Sequence, residues 1–268
     1  VKVRDKTVLV TGGGNGIGRQ VVLELLRRGA RVAAVDLRGD SLEETVALAR
    51  AGDRLATFVV DITDAGAVDA TVSEVLDRLG HLDGVVNVAG IIQPFVKFAD
   101  LDPTTMRRVI DVNLWGTINV LRSALPHLRR RPEAHVVNVS SMGGFLPVPG
   151  QTLYGASKAA VKLLTEALWT ELRGSNVGVS VVMPGGVGTA IATNSGVELP
   201  IAGASMEDAK FPLTSPEKAA AIIVDGIERS KFHVYVGKDA RIMNMLVRLA
   251  PKQAAKLIQR QMRTLVDG

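Results

Sequence analysis

Tyr154 and Lys158 stand four positions apart in the run Tyr154-Gly155-Ala156-Ser157-Lys158, and Ser141 lies thirteen residues upstream. On a helix, positions i and i+4 share a face, so this spacing brings an ammonium toward a phenol. A phenol with an ordinary pKa of about 10 is a poor base at neutral pH. A neighbouring cation favours the phenolate, and the spacing therefore predicts a lowered value. Such a pair suits proton transfer to and from an alcohol or carbonyl oxygen. The Ser141 hydroxyl adds a hydrogen bond to that oxygen. Tyr–Lys pairs at this spacing are common by accident, so the reading depends on what else the chain holds. The other tyrosine, Tyr235, has no comparable partner.

A second constellation lies near the start. Thr11-Gly12-Gly13-Gly14-Asn15-Gly16-Ile17-Gly18 follows the β-prone run Thr7-Val8-Leu9-Val10 and precedes a helical pattern from Arg19 to Leu26. A strand, a glycine loop and a helix in that order form the context of a dinucleotide site. Glycines let the backbone turn tightly and approach a pyrophosphate, and the helix N-terminus offers unpaired N–H groups to it. Asp36 ends the next β-prone run, eighteen residues after Gly18. A carboxylate there binds ribose hydroxyls and repels a 2′-phosphate, which points to NAD. Arg38 keeps NADP open, because it lies two positions on and could reach a 2′-phosphate. Arg19 is expected to face solvent.

Together these residues resemble the short-chain dehydrogenase/reductase family over roughly Lys6 to Gly237. Asp61 and Ile62 match the family's adenine-pocket segment. Asn87-Val88-Ala89-Gly90 is similar to its Asn-Asn-Ala-Gly run, with Val88 in place of the second Asn. Asn113 matches an Asn that helps hold a relay water. The resemblance implies that Tyr154 exchanges the proton of the substrate oxygen and that Ser141 orients that oxygen. Lys158 lowers the phenol pKa and bonds the nicotinamide ribose, and Asn113 links Lys158 to solvent through water. It also implies a cofactor bed of Gly12, Gly14, Asn15, Gly16, Ile17, Gly18, Asp36, Leu37, Asp61, Ile62, Asn87, Ala89 and Gly90. Tyr154, Lys158, Pro184, Gly185, Val187 and Thr189 complete its nicotinamide end. The implied activity is NAD(H)-dependent interconversion of a secondary alcohol and its ketone. Two alternatives stand beside it: an NADPH-dependent carbonyl or 3-ketoacyl reductase, and a non-catalytic NAD-binding scaffold at a membrane.

These residues need a frame. Apolar β-prone runs near 6–11, 31–36, 55–60, 83–87, 135–140, 177–183 and 233–236 alternate with helical patterns. That alternation predicts a Rossmann-like, doubly wound parallel sheet of about seven strands in three layers. Ser41-Leu42-Glu43-Glu44 reads as a capping box opening the second helix. Two long helices are expected, one carrying Met106 to Leu128 and one carrying Tyr154 to Leu172. They hold the two tryptophans, Trp115 and Trp169, which are either core or subunit-contact residues. By resemblance these helices form a dimer contact, and a homodimer or homotetramer is expected. The chain has 268 residues, 47% of them hydrophobic, which suits one α/β domain over residues 1–237. The absence of cysteine excludes disulfides and thiol catalysis. The first residues are too polar and too few for a signal peptide, so a cytoplasmic enzyme is expected. The four histidines are widely spaced, and no metal site is expected.

Two largely apolar regions are expected to choose the substrate, an uncharged hydrophobic alcohol or ketone. One follows Ser141 and includes Gly143, Phe145 and Gln151. The other runs from Ala190 to Phe211 and includes Ile191, Val197, Leu199, Pro200, Ile201 and Met206. Ile91, Ile92 and Phe95 are expected to extend the same wall. Beyond Gly237 the chain continues as a basic, amphipathic helical extension, residues 238–268. It holds seven Lys or Arg against two Asp, equal to the net +5 of the whole chain, so the body before it is neutral. Basic charge confined to a tail without aromatic residues does not predict nucleic-acid binding. Past Pro251, Lys252, Lys256, Arg260 and Arg263 share one face, with Ala254, Leu257, Ile258, Met262 and Leu265 opposite. Two placements remain open: packing across the substrate pocket or a neighbouring subunit, or lying on an anionic membrane surface.

Overall fold

The computed structural model describes residues 1–197 and 213–262. Leu199, Pro200, Ile201, Met206, Arg263 and Leu265 lie outside them. The chain alternates strand and helix: β1 (Thr7–Thr11), α1 (Gly16–Arg27), β2 (Arg31–Asp36), α2 (Gly39–Ala49), β3 (Leu55–Val59), α3 (Ala65–Leu79), β4 (Gly84–Asn87). It continues with α4 (Pro103–Ile110), α5 (Gly116–Leu128), β5 (Ala134–Val139), α6 (Thr152–Glu171), β6 (Val177–Pro184), the short α7 (Ile191–Asn194), α8 (Pro216–Glu228) and β7 (His233–Val236). Two further helices, α9 (Lys238–Leu249) and α10 (Pro251–Met262), form the C-terminal extension.

The seven strands pair in parallel in the order β3-β2-β1-β4-β5-β6-β7. Strand side chains alternate between faces, and each face has its own core. Val8, Val10, Val32, Ala34 and Val182 meet α1 and α8 through Val21, Val22, Leu25, Ile223 and Val224. Leu9, Ala33, Val85, Val136 and Val179 meet α3 and α5 through Val68, Val72, Val75, Val120 and Leu128. Chain order reverses between β1 and β4, and the crevice beyond their carboxyl ends is where ligands bind in such sheets.

Three readings change. Ser41 does not open α2. The helix begins at Gly39 with Arg38 as its N-cap, and the expected box partner Glu44 instead pairs with Arg19 at 2.6 Å. Arg19 is not a solvent-facing residue. Its Nε donates to the Gly14 carbonyl at 2.8 Å and to Thr45 Oγ1 at 3.1 Å, bracing the glycine loop from beneath. The helix expected over Met106 to Leu128 is interrupted, because Asp111–Trp115 is wound as a π-helical turn between α4 and α5. Such turns often occur at functional sites, and this one carries Asn113. On the apolar side of α10, Ala254 and Ile258 are buried and Leu257 is exposed. The tryptophans part company. Trp169 packs against Phe232 with tilted rings at 4.4 Å between centroids, whereas Trp115 is 52% exposed.

Candidate active site

The glycine loop, the ends of β2, β4, β5 and β6, and the start of α6 enclose a cavity of ≈490 Å³. Asn15 caps α1 by accepting the Gly16 N–H at 2.6 Å. Gly12 and Gly16 hold φ values of +69° and +52°, where glycine is favoured. A β-carbon on Gly18 would lie 2.0 Å from the Gly12 oxygen, so the loop turns tightly only because that position carries no side chain. Asp36 Oδ2 accepts the Gly14 N–H at 2.9 Å, and Oδ1 accepts the Arg38 N–H at 3.1 Å. The Arg38 guanidinium turns to Asp40, at 2.8 Å. Gly12, Asn15, Gly16, Ile17, Gly18, Asp36, Leu37, Asp61 and Ile62 all line the cavity. Gly14 does not line it but is tied to Asp36.

At the other end, Lys158 is buried and Tyr154 partly so. Lys158 Nζ donates to the Val139 carbonyl at 3.1 Å and lies 6.0 Å from the Tyr154 ring centroid. Burial lowers the Lys158 pKa to about 8. Burial raises the Tyr154 phenol, and a hydrogen bond from Ser141 opposes the rise. This differs from the expected lowering of the phenol. Lys158 directs its ammonium at a carbonyl, and desolvation of the phenol dominates. Ser141 Oγ also accepts the Gly143 N–H at 3.0 Å. A β-carbon on Gly90 would lie 2.9 Å from Lys158 Nζ and 3.0 Å from Asn113 Oδ1, so both side chains converge on that glycine. Asn113 Oδ1 accepts the Ile91 N–H at 2.8 Å, and Nδ2 donates to Ile91 O and Ser157 Oγ. Ala89, Gly90, Pro184, Gly185, Val187 and Thr189 line this end.

Several expected contacts lie elsewhere. Asn87 does not border the cavity. Its amide donates to Asn138 at 2.8 Å, and Asn138 donates to Thr165, which makes a buried polar ladder joining β4, β5 and α6. Asn113 sits behind the wall, in contact with Ile91 and Ser157. Gly143 stands against the Tyr154 ring, 3.3 Å from where its β-carbon would be, without lining the cavity. Gln151 is buried and donates to the Gln93 carbonyl at 2.7 Å. Phe145 packs with Met142 and Val148 against Met243, Ala254 and Ile258 of the extension. The extension thus covers the segment after Ser141. The sequence reading missed Arg108, Asp111, Val112, Val139 and Ser140, which line the cavity because the end of α4, the π-helical turn and the end of β5 reach it. It also missed Thr11, whose hydroxyl accepts the Val88 and Ala89 N–H groups at 3.1 and 3.2 Å. A polar residue at the end of the first strand was the available signal.

Comparison with known proteins agrees with this fold. The family model for short chain dehydrogenase matches residues 6–199. A Mycobacterium tuberculosis protein named as the oxidoreductase SadH is 36% identical over 263 residues, covering 94% of each chain. The 1-deoxy-11-beta-hydroxypentalenate dehydrogenase of Streptomyces exfoliatus is 32% identical over 244 residues, covering 90% of this chain and 86% of its own. Among solved structures, a short chain dehydrogenase/reductase from Burkholderia phymatum, in complex with NAD, superposes with a TM-score of 0.81 at 24% identity, covering 93% and 96% of the two chains. The 3-ketoacyl-(acyl-carrier-protein) reductase of Brucella melitensis, complexed with NADH, gives 0.79 at 25% identity, covering 88% and 98%. With its glycine loop, parallel sheet and Tyr154–Lys158 pair in place, the chain belongs to the short-chain dehydrogenase/reductase family of oxidoreductases.

Proposed function

We propose that the protein is an NAD(H)-dependent oxidoreductase interconverting a hydrophobic secondary alcohol and its ketone. The observation that carries this reading is the convergence of Ser141, Tyr154 and Lys158 on one cavity whose far end is the glycine loop and Asp36. The loop glycines and the α1 N-terminus suit a pyrophosphate, and the Asp36 carboxylate suits ribose hydroxyls. Bound there, a nicotinamide ring supplies or accepts the hydride. Tyr154 gives its proton to the carbonyl oxygen in reduction and takes it back in oxidation. Ser141 holds that oxygen and stabilises negative charge developing on it. Lys158 stabilises the phenolate while charged, and the Val139 carbonyl holds its ammonium beside Gly90.

Cofactor choice supports NAD. Arg38 is engaged with Asp40, and Arg19 is held beneath the loop. Neither guanidinium pairs with Asp36. We expect purified protein to bind NADH at least tenfold more tightly than NADPH by nicotinamide fluorescence, about 1.4 kcal/mol. Replacement of Asp36 by Ser should remove most of that gap. Preference of the unmodified protein for NADPH would overturn the assignment and favour a carbonyl reductase.

Trp115 and Leu163, 52% and 68% exposed, support a homo-oligomer formed through the π-helical turn and α6. Peripheral membrane contact is supported by α9. Ile242, Met245 and Leu249 are 56%, 62% and 80% exposed and share one face, with Arg241 and Arg248 beside them. No helix among the described residues is long and apolar enough to cross a membrane, so such contact would be interfacial. The full chain should float with vesicles containing phosphatidylglycerol at low ionic strength and not with pure phosphatidylcholine. Equal behaviour with both would sink the contact.

A further inference from the structure

The helix that carries Tyr154 and Lys158 has an unusual start. The first N–H groups of a helix have no intrahelical partner, and the N-cap side chain ordinarily satisfies one of them. The N-cap of α6 is Gln151, and its side chain makes no such bond. Gln93, sixty residues earlier, supplies it. Its Oε1 accepts the N–H groups of Leu153 at 2.8 Å and of Tyr154 at 3.1 Å. Its Nε2 donates to the Gly150 carbonyl at 2.9 Å. Its own carbonyl takes the Gln151 amide at 2.7 Å. Gln93 is fully buried, so solvent cannot replace these bonds.

The residues just before Gln93 are tied to the site in the same manner. Gly90 lies against Lys158 Nζ and Asn113 Oδ1. Ile91 exchanges hydrogen bonds with Asn113. The Ile92 N–H donates to Ser195 Oγ at 3.0 Å, in the segment that borders the cavity after β6. Four consecutive residues therefore bond Asn113, the segment after β6 and the start of α6, and lie against Lys158. Within this run only Gln93 acts on the backbone of Tyr154 itself.

We propose that Gln93 is a positioning residue for Tyr154. It caps α6 from the strand β4 side and, with Gln151 as its clasp, fixes the phenol relative to Ser141 and the glycine-loop end of the cavity. This rests on the oxidoreductase reading above for its catalytic consequence. The cap itself can be read without any substrate.

The test pairs turnover with amide hydrogen exchange on the full chain. Gln93→Leu removes every side-chain bond at similar volume. We expect kcat to fall about 10²-fold, the order of loss for a 1 Å misplacement, with KM and the NADH Kd unchanged. The Leu153 and Tyr154 amides should exchange roughly tenfold faster. Gln93→Glu keeps an acceptor for both amides and should recover most of the turnover. A protein that merely needs a filled core at this position would give the opposite order, with Leu tolerated and Glu not. Turnover of Gln93→Leu within twofold of the parent, or unchanged exchange at Leu153 and Tyr154, overturns the proposal. Should Gln93→Leu fail to fold, Gln151→Leu decides, because it removes only the clasp. A loss of kcat without loss of NADH binding supports the role, and unchanged kcat overturns it. If the unmodified protein turns over no alcohol or ketone at all, the oxidoreductase reading fails along with the catalytic role, while the exchange result still reports on the cap.

Discussion

Tyr154→Phe should lower kcat by about 10³-fold, within the range expected for loss of a positioned acid–base group. NADH binding should be nearly unchanged. The substitution removes one oxygen and leaves the ring that Gly143 packs against. Single-turnover hydride transfer, followed by nicotinamide absorbance, separates the two effects. Near-normal turnover would remove Tyr154 from the mechanism. The pH dependence offers a second check. Burial raises the phenol pKa, and the Ser141 hydrogen bond lowers it. Alcohol oxidation needs the deprotonated phenol, so its kcat/KM should climb with pH until the phenol is ionised. Ser141→Ala removes the lowering contribution, so the climb should move to higher pH, in addition to any loss of rate. Movement to lower pH would contradict the arrangement described.

The second large effect is expected from Gly18→Ala. A single methyl group would enter 2.0 Å from the Gly12 oxygen and 2.6 Å from its carbonyl carbon. Both atoms are backbone and cannot rotate away. The loop would have to open, and it is the part of the cavity proposed to hold the pyrophosphate. We expect NADH affinity to fall about 100-fold, close to 2.7 kcal/mol. The melting transition should stay cooperative, because the cores on both sheet faces are untouched. Gly188→Ala serves as the control, since a β-carbon there meets nothing within 4 Å. Equal NADH affinity in the two variants would show that the loop does not hold the cofactor.

Much of this arrangement is legible in the amino-acid sequence. The inner strands β1, β4, β5 and β6 announce themselves through apolar runs because they are buried on both faces, whereas the edge strands β3 and β7 alternate buried and more exposed positions. The glycine loop and the Tyr154–Lys158 spacing are local patterns, set by one turn and one helix. Failures came where a side chain answers to something distant. Arg19 sits at a helical position that reads as exposed, yet α2 packs over it and supplies Thr45 and Glu44. Ser41 and Glu44 have the spacing of a capping box, but Glu44 is used by that same arginine. Phe145 and Gln151 lie close to Ser141 in sequence, although one turns to the C-terminal helices and the other to Gln93. Gln93 gave no signal, because a glutamine in a loop belongs to no pattern until its partners sixty residues on are known.

One contact changes how the end of this chain should be regarded. Asp239, in the first turn of α9, accepts the Gly186 N–H at 2.8 Å, two residues beyond the end of β6. A β-carbon on Gly185 would collide with the same carboxylate. Through Met243 the same helix also packs on Met142 and Phe145. The extension therefore grips both margins of the cavity, one after β5 and one after β6. A substrate preference and a tail sequence cannot then drift apart independently in descent. Exchanging this tail for that of a relative should carry part of the relative's taste for substrate with it, even when every residue lining the cavity is left alone.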